Sequence, residues 1–137
     1  MTTLLTGGTG FVGKNLIKRL QGVTVVSRSP ETAKLRLHEA GFAERLDDVI
    51  EWNNGLDPKD LARIPPINSV INLMGESIAE GRWTKAKKTR IRSSRVDGTR
   101  SLVNSIIEAG HLPKVFISAS AIGLYGDTGE TVVEEDS

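Results

Sequence analysis

The sequence predicts an α/β fold, a Rossmann-like doubly wound parallel sheet with five strands in the order 3-2-1-4-5. Three observations lead there. Apolar segments with strand-like and helix-like spacing alternate along the chain, the pattern of a parallel sheet covered by helices. A glycine-rich turn follows the first strand at once. Right-handed crossovers leave few other orders for five such strands.

Thr2 to Thr6 reads as a short buried strand. Phe11, Val12, Leu16, Ile17 and Leu20 then recur at helical spacing, and Gly22 closes that helix. Val23 to Val26 is β-branched throughout and forms the second strand. Ser29-Pro30 marks a helix start, with Ser as cap and Pro at the first helical position. That helix carries Ala33, Leu37 and Ala40 and ends near Gly41. Val49 to Trp52 is a weaker third strand, and Asp57-Pro58 opens a short helical turn before the loop at Pro65-Pro66. Val70 to Leu73 is the fourth strand. A long helix from about Thr84 to Ala109 ends before Gly110, and Lys114 to Ser118 is the fifth strand. The tail from Gly123 carries no convincing element.

Length and composition bound what this fold can do. The chain has 137 residues, room for one core. Apolar residues make up 38% and charged residues 26%, a globular rather than disordered or membrane composition. The net charge of +1 creates no global field for nucleic acid. With no cysteine, disulfides, thiolate metal sites and Cys nucleophiles are excluded. His38 and His111 share no ligand spacing with a carboxylate, so no metal site is expected. Neither a basic leader nor a long apolar run opens the chain, and a cytoplasmic location without membrane contact is the expectation.

The turn Thr6-Gly7-Gly8-Thr9-Gly10-Phe11-Val12-Gly13 carries the chemistry. Gly7 allows a tight exit from the strand. Gly10 lets backbone approach a pyrophosphate, and Gly13 lets the helix pack on the strand. The backbone of Phe11 and Val12 then offers N–H groups to phosphate. Following a strand and opening an amphipathic helix, the turn reads as a dinucleotide site, with a glycine-rich turn that holds no ligand as the alternative. The second strand ends Ser27-Arg28-Ser29, with no carboxylate before Glu31. An acid there would bind the ribose hydroxyl of NAD, whereas Arg28 suits the 2′-phosphate of NADP. NADP is therefore expected over NAD, with an exposed surface arginine as the alternative.

Two further segments join the glycine turn: Asn72-Leu73-Met74-Gly75, and Ser118-Ala119-Ser120-Ala121-Ile122-Gly123-Leu124-Tyr125-Gly126. Together they resemble the extended or atypical branch of the short-chain dehydrogenase/reductase superfamily. Asn72 to Ala79, Arg82-Trp83-Thr84, Ser94-Arg95 and Gly126 to Glu130 narrow the resemblance to the NAD(P)-dependent epimerase/dehydratase-like "epimerase family" proteins. The resemblance covers nearly the whole chain. It implies an NAD(P)-binding domain over residues 1–137, with Leu73, Met74, Gly75, Glu76, Ser118 and Ala119 on the nicotinamide side. It also implies hydride chemistry, with a tyrosine moving the proton and a Ser or Thr after the fifth strand holding the substrate oxygen. Ser120 is assigned that hydroxyl. For both Ser118 and Ser120 a strand-end hydrogen bond is the alternative.

One superfamily feature is missing. The single tyrosine, Tyr125, is followed four residues on by Gly129, so no Tyr-x-x-x-Lys pair exists. Tyr125 matches the structural Tyr-Gly turn. The C-terminal substrate-binding part is absent too, so the chain is expected to be the cofactor-binding portion of a longer oxidoreductase or nucleotide-sugar epimerase. The rival is a non-catalytic dinucleotide sensor. The substrate, a small molecule, is not specified.

Between Arg82 and Arg100 lie eight basic residues and one acid. Lys85, Lys88, Arg92 and Arg95 share a helical face that continues into Thr99, Leu102 and Ile106. That stripe could guide anions, pair with Glu76 and the acidic tail, or be a solvated face. In related extended enzymes the corresponding helix often lies in a dimer interface, so the resemblance admits a homodimer. Scarce aromatics and the lack of a recognition motif argue against nucleic acid. Trp83 either stacks on a ligand or packs under the loop. Glu76 either contacts ligand or caps Arg95.

Overall fold

The computed structural model of the protein describes residues 1–121 and 126–136. Tyr125 and the three residues before it lie outside the described residues, as does Ser137. The elements are β1 (Thr2–Thr6), α1 (Phe11–Ile17), β2 (Val23–Ser27), α2 (Pro30–Glu39), β3 (Leu46–Glu51), α3 (Pro58–Arg63), β4 (Ile67–Asn72), α4 (Lys85–Glu108) and β5 (Val115–Ser118). A 3-10 turn at Ala43–Arg45 precedes β3. All strand pairs are parallel, in the order β3-β2-β1-β4-β5. The expected sheet is the observed one.

Strand alternation divides the core between the two faces of the sheet. Leu4, Val26, Ile50 and Val70 point to one side and pack with Leu61, Leu102 and Ile106. Leu5, Val25 and Val49 point to the other and pack with Ile17, Ala33 and Leu37. Both faces of the central strands are therefore apolar, as a helix-covered parallel sheet requires. β5 differs: all four of its residues are exposed.

Helix ends follow local chemistry. Asp57 accepts a hydrogen bond from the Lys59 N–H at 2.8 Å and Thr84 one from the Lys87 N–H at 3.2 Å, capping α3 and α4. Ser29 occupies the cap position of α2, but its hydroxyl makes no capping bond. Ala33 and Leu37 are buried, whereas Ala40 is exposed just past the helix end.

Three expectations change. α1 stops at Ile17, and Phe11 is 85% exposed rather than part of an apolar stripe. Val12 is exposed as well; within α1 Gly13 and Ile17 are buried, and Leu16 packs partly buried against the core. β3 starts at Leu46 rather than Val49, since paired register begins at Leu46 opposite Val23. Asp47 and Asp48 hide that start from an apolar pattern. β4 likewise starts at Ile67.

Candidate functional site

The register aligns the carboxyl ends of the strands: Thr6 pairs with Val26 and Asn72, and Asn72 with Ser118. Chain order reverses between β1 and β4, where open α/β sheets leave a crevice. A cleft of about 960 Å³ lies at this edge. Its floor is Thr6, Gly7 and Thr9. One end is formed by Ser27, Arg28 and Ser29, and the other by Leu73 to Glu76.

Asn72 builds the floor. It is buried, and its Oδ1 accepts from Thr6 Oγ1 at 2.8 Å and from the Met74 N–H at 3.2 Å. Its Nδ2 donates to Thr99 Oγ1 at 3.0 Å and Ser118 Oγ at 3.3 Å. Thr6 Oγ1 in turn accepts from the Leu73 N–H at 2.9 Å. One amide therefore joins β1, β4, β5 and α4 under the cleft.

The glycine turn packs backbone against backbone. Gly7 has φ +69°, and the Gly10 N–H donates to its carbonyl at 3.0 Å. A Cβ on Gly7 would lie 3.1 Å from the Leu73 carbonyl oxygen. Gly13 fits against the Gly7 carbonyl and the Gly8 backbone.

The segment after β4 is clamped by α4. Arg95 packs so closely on Gly75 that a Cβ there would lie 2.8 Å from the guanidinium carbon. Arg95 also donates to the Glu76 carbonyl at 3.2 Å. The Glu76 N–H donates to Ser94 Oγ at 2.9 Å. Lys87, only 6% exposed, donates to the Glu76 carboxylate at 2.9 Å, and Arg90 lies 3.6 Å from the same oxygen.

The Lys87 hydrogen bond and charge hold the Glu76 carboxyl below the ordinary value of 4.5; desolvation opposes this and Arg90 adds a smaller pull. A depressed folded value means the stabilisation is present above the unfolded value and is lost as pH falls through the folded one. Wild type is therefore expected to melt above Glu76→Gln at pH 7, with the gap closing as pH drops below about 4.5. Melting temperatures across pH 2–7 test this, and a constant gap contradicts it.

Of the expected site residues, Gly7, Arg28, Leu73, Met74, Gly75 and Glu76 line the cleft. Gly10, Phe11, Val12, Gly13, Ser118, Ala119 and Ser120 are not among its lining residues. Ser118 Oγ is taken by Asn72, while Ser120 is exposed. Trp83 donates to the Ile78 carbonyl at 3.0 Å but is 57% exposed and does not line the cleft, so it is neither packed under its loop nor turned to the cleft. The stripe of Lys85, Lys88, Arg92 and Arg95 is not the face that meets the cleft. Arg90, Ser94, Asp97 and Ser101 are, at helical spacing. Lys87 and Arg90, both outside the stripe, pair with Glu76.

Several lining residues escaped the sequence reading as site residues, among them Thr32, Arg36, Trp52, Asn54 and Ser101. Trp52 follows the carboxyl end of β3, which in such sheets faces ligand, and that position was a usable signal. Its indole is half-buried against the core. Among the described residues, no group of three or more His, Asp or Glu side chains could hold a metal ion. Among the described residues, no helix is long and apolar enough to cross a membrane.

A five-stranded parallel sheet in this order, with a cleft over its switch point, is a Rossmann-like domain. The chain belongs to the NAD dependent epimerase/dehydratase family, whose profile matches residues 3–137. It is 35% identical over 139 residues to the epimerase family protein YfhF of Bacillus subtilis (strain 168), covering 100% of this chain and 43% of that protein. An epimerase family protein of Mycobacterium leprae is 31% identical over 137 residues, covering 96% of this chain and 39% of that protein. The chain thus spans about two fifths of the length of these curated relatives. Among solved structures, UDP-glucuronic acid 4-epimerase from Bacillus cereus, in complex with a fluorinated UDP-sugar and NAD, has a TM-score of 0.71 at 20% identity, covering 98% of this chain and 45% of that one. ElxO with NADPH bound has a TM-score of 0.66 at 18% identity, covering 91% and 57%. At these identities the likeness is one of fold.

Proposed function

We propose that the cleft binds a nicotinamide dinucleotide, NADP in preference to NAD, and that residues 1–137 are the cofactor-binding portion of an oxidoreductase or nucleotide-sugar epimerase. The observation that carries this is the charge balance of the cleft. Its two lining carboxylates are both engaged, Glu76 by Lys87 and Asp97 by Arg100 at 3.2 Å. Arg28 lines the same cleft and has no ion-pair partner among the described residues. An uncompensated guanidinium beside the hydroxyls of Ser27 and Ser29 suits a phosphate ester. The family and the fold neighbours solved with NAD or NADPH point to the same ligand class.

A bound nicotinamide would supply hydride transfer to or from a carbinol or carbonyl carbon. The chain's residues do the holding. Gly7 and its turn let the pyrophosphate approach, with the Gly10, Phe11, Val12 and Gly13 backbone following. Leu73 to Glu76, fixed by α4, flank the nicotinamide ribose. Ser118 and Ala119 border the reacting centre, and the exposed Ser120 hydroxyl is the substrate-facing group. The sensor reading rests on the lack of a Tyr-x-x-x-Lys pair in residues 1–137, whose single tyrosine, Tyr125, matches the structural Tyr-Gly turn. NADPH binding without turnover on a carbonyl panel favours it.

Arg28→Ala is expected to lower the preference for NADPH over NADH about tenfold or more, the scale of one charge-assisted phosphate contact. Calorimetric titration with both cofactors tests it. An unchanged preference sinks the NADP assignment.

A further inference from the structure

Arg36 is a cation of the cleft that neither the glycine turn nor the strand-end arginine accounts for, and unlike Arg90 it has no ion-pair partner among the described residues. Ser29, Thr32, Ala33 and Arg36 all line the cleft, at the i, i+3, i+4, i+7 spacing of one helical face. Ala33 is buried and fixes that face inward, so the helix cannot turn Arg36 away without losing core packing. Long helical side chains lean toward the helix N-terminus. Arg36 thus shares one wall of the cleft with Thr32 and Ser29, and Arg28 lines the cleft from the chain just before the helix.

Among the described residues neither guanidinium has an ion-pair partner. The Ser29 hydroxyl makes no capping bond and is left with free capacity. Lys34 and Glu31 of the same helix are not among the lining residues. Two unpaired guanidinium groups in one concave wall repel each other unless an anion lies between them. The hydroxyls beside them supply the hydrogen bonds that a phosphate dianion accepts.

We propose that Arg36 is a specificity-determining residue, the second cation of a phosphate-monoester subsite completed by Arg28, Ser29 and Thr32. The subsite takes the 2′-phosphate of an adenosine ribose, and the inference rests on the NADP reading above. Two cations set the preference, and Arg36 contributes to it separately from Arg28.

The test is calorimetric titration of the full chain with NADPH, NADH, adenosine 2′,5′-bisphosphate and 5′-AMP. Arg36→Ala and Arg36→Gln are both used, the second keeping side-chain bulk on the helix. Expected is an approximately tenfold rise in Kd for NADPH and for the bisphosphate, with NADH and 5′-AMP unchanged. Lys34→Ala, which removes the same charge from the outward face of α2, is expected to leave all four Kd values in place. A preference for NADPH that survives both Arg36 substitutions but falls in Arg28→Ala overturns the role of Arg36 and leaves the cofactor reading standing. Equal losses for NADPH and NADH also overturn it. Failure of the unmodified chain to bind either dinucleotide overturns the cofactor reading and the inference together.

Discussion

Gly13→Ala is expected to destabilise the domain by about 3 kcal/mol and lower its melting temperature by roughly 10 °C. Alanine is the better helix former by about 1 kcal/mol, so propensity alone predicts the opposite sign. Sterics decide. The added Cβ would lie 2.6 Å from Gly8 Cα and 2.9 Å from its carbonyl carbon, as well as against the Gly7 carbonyl. All three atoms are backbone, so no rotamer change relieves the overlap. α1 must move away from β1, and the turn that meets the cleft moves with it. Dinucleotide affinity should fall together with stability. Gly10→Ala is the contrast, since its Cβ meets only the Gly7 carbonyl at 3.3 Å. Thermal melts of both variants check this; equal stability of Gly13→Ala and wild type would falsify the packing argument.

Asn72→Leu is expected to cost about 3 kcal/mol, although the two side chains are close in size and the position is buried. The loss comes from the partners. The Met74 N–H and the Thr6 hydroxyl proton both lose their acceptor, and Thr99 and Ser118 lose a donor. An unsatisfied buried group costs about 1–3 kcal/mol, and burying the leucine methyls returns only part of that. Urea unfolding measures it. A loss below about 1 kcal/mol would mean that water replaces the amide without penalty.

The sheet was legible because its signals are local. Thr2 to Thr6, Val23 to Val26 and the Gly110 stop each declare themselves within a few residues. The glycine turn did too, since Gly7, Gly10 and Gly13 stand in one short stretch. The clamp on Glu76 was not legible. Lys87 is one basic residue in a run of them, and only the fold brings it to a carboxylate 11 positions away. The spacing of Lys85, Lys88, Arg92 and Arg95 is real, but periodicity reports a shared face and not what that face meets. α4 begins beyond the strands, where its neighbour is the β4–α4 segment rather than the sheet. Arg36 was missed for a similar reason. An arginine two turns into a helix carries no local mark of a ligand, and Ala33 and Leu37 report only which side is buried.

β5 gives the sheet a gradient of local opening. Leu4, Leu5, Val25 and Val70 are sealed on both faces, whereas Val115, Phe116 and Ile117 are exposed at the edge. Few buried contacts mean a low free energy of local opening. In the chain as it stands, amide hydrogen exchange is expected to run fastest through β5 and slowest in β1. Asn72 lies where those two regimes meet. Opening of β5 releases the Ser118 hydroxyl from the Asn72 amide, while the bond to Thr6 holds until β1 itself parts from β4.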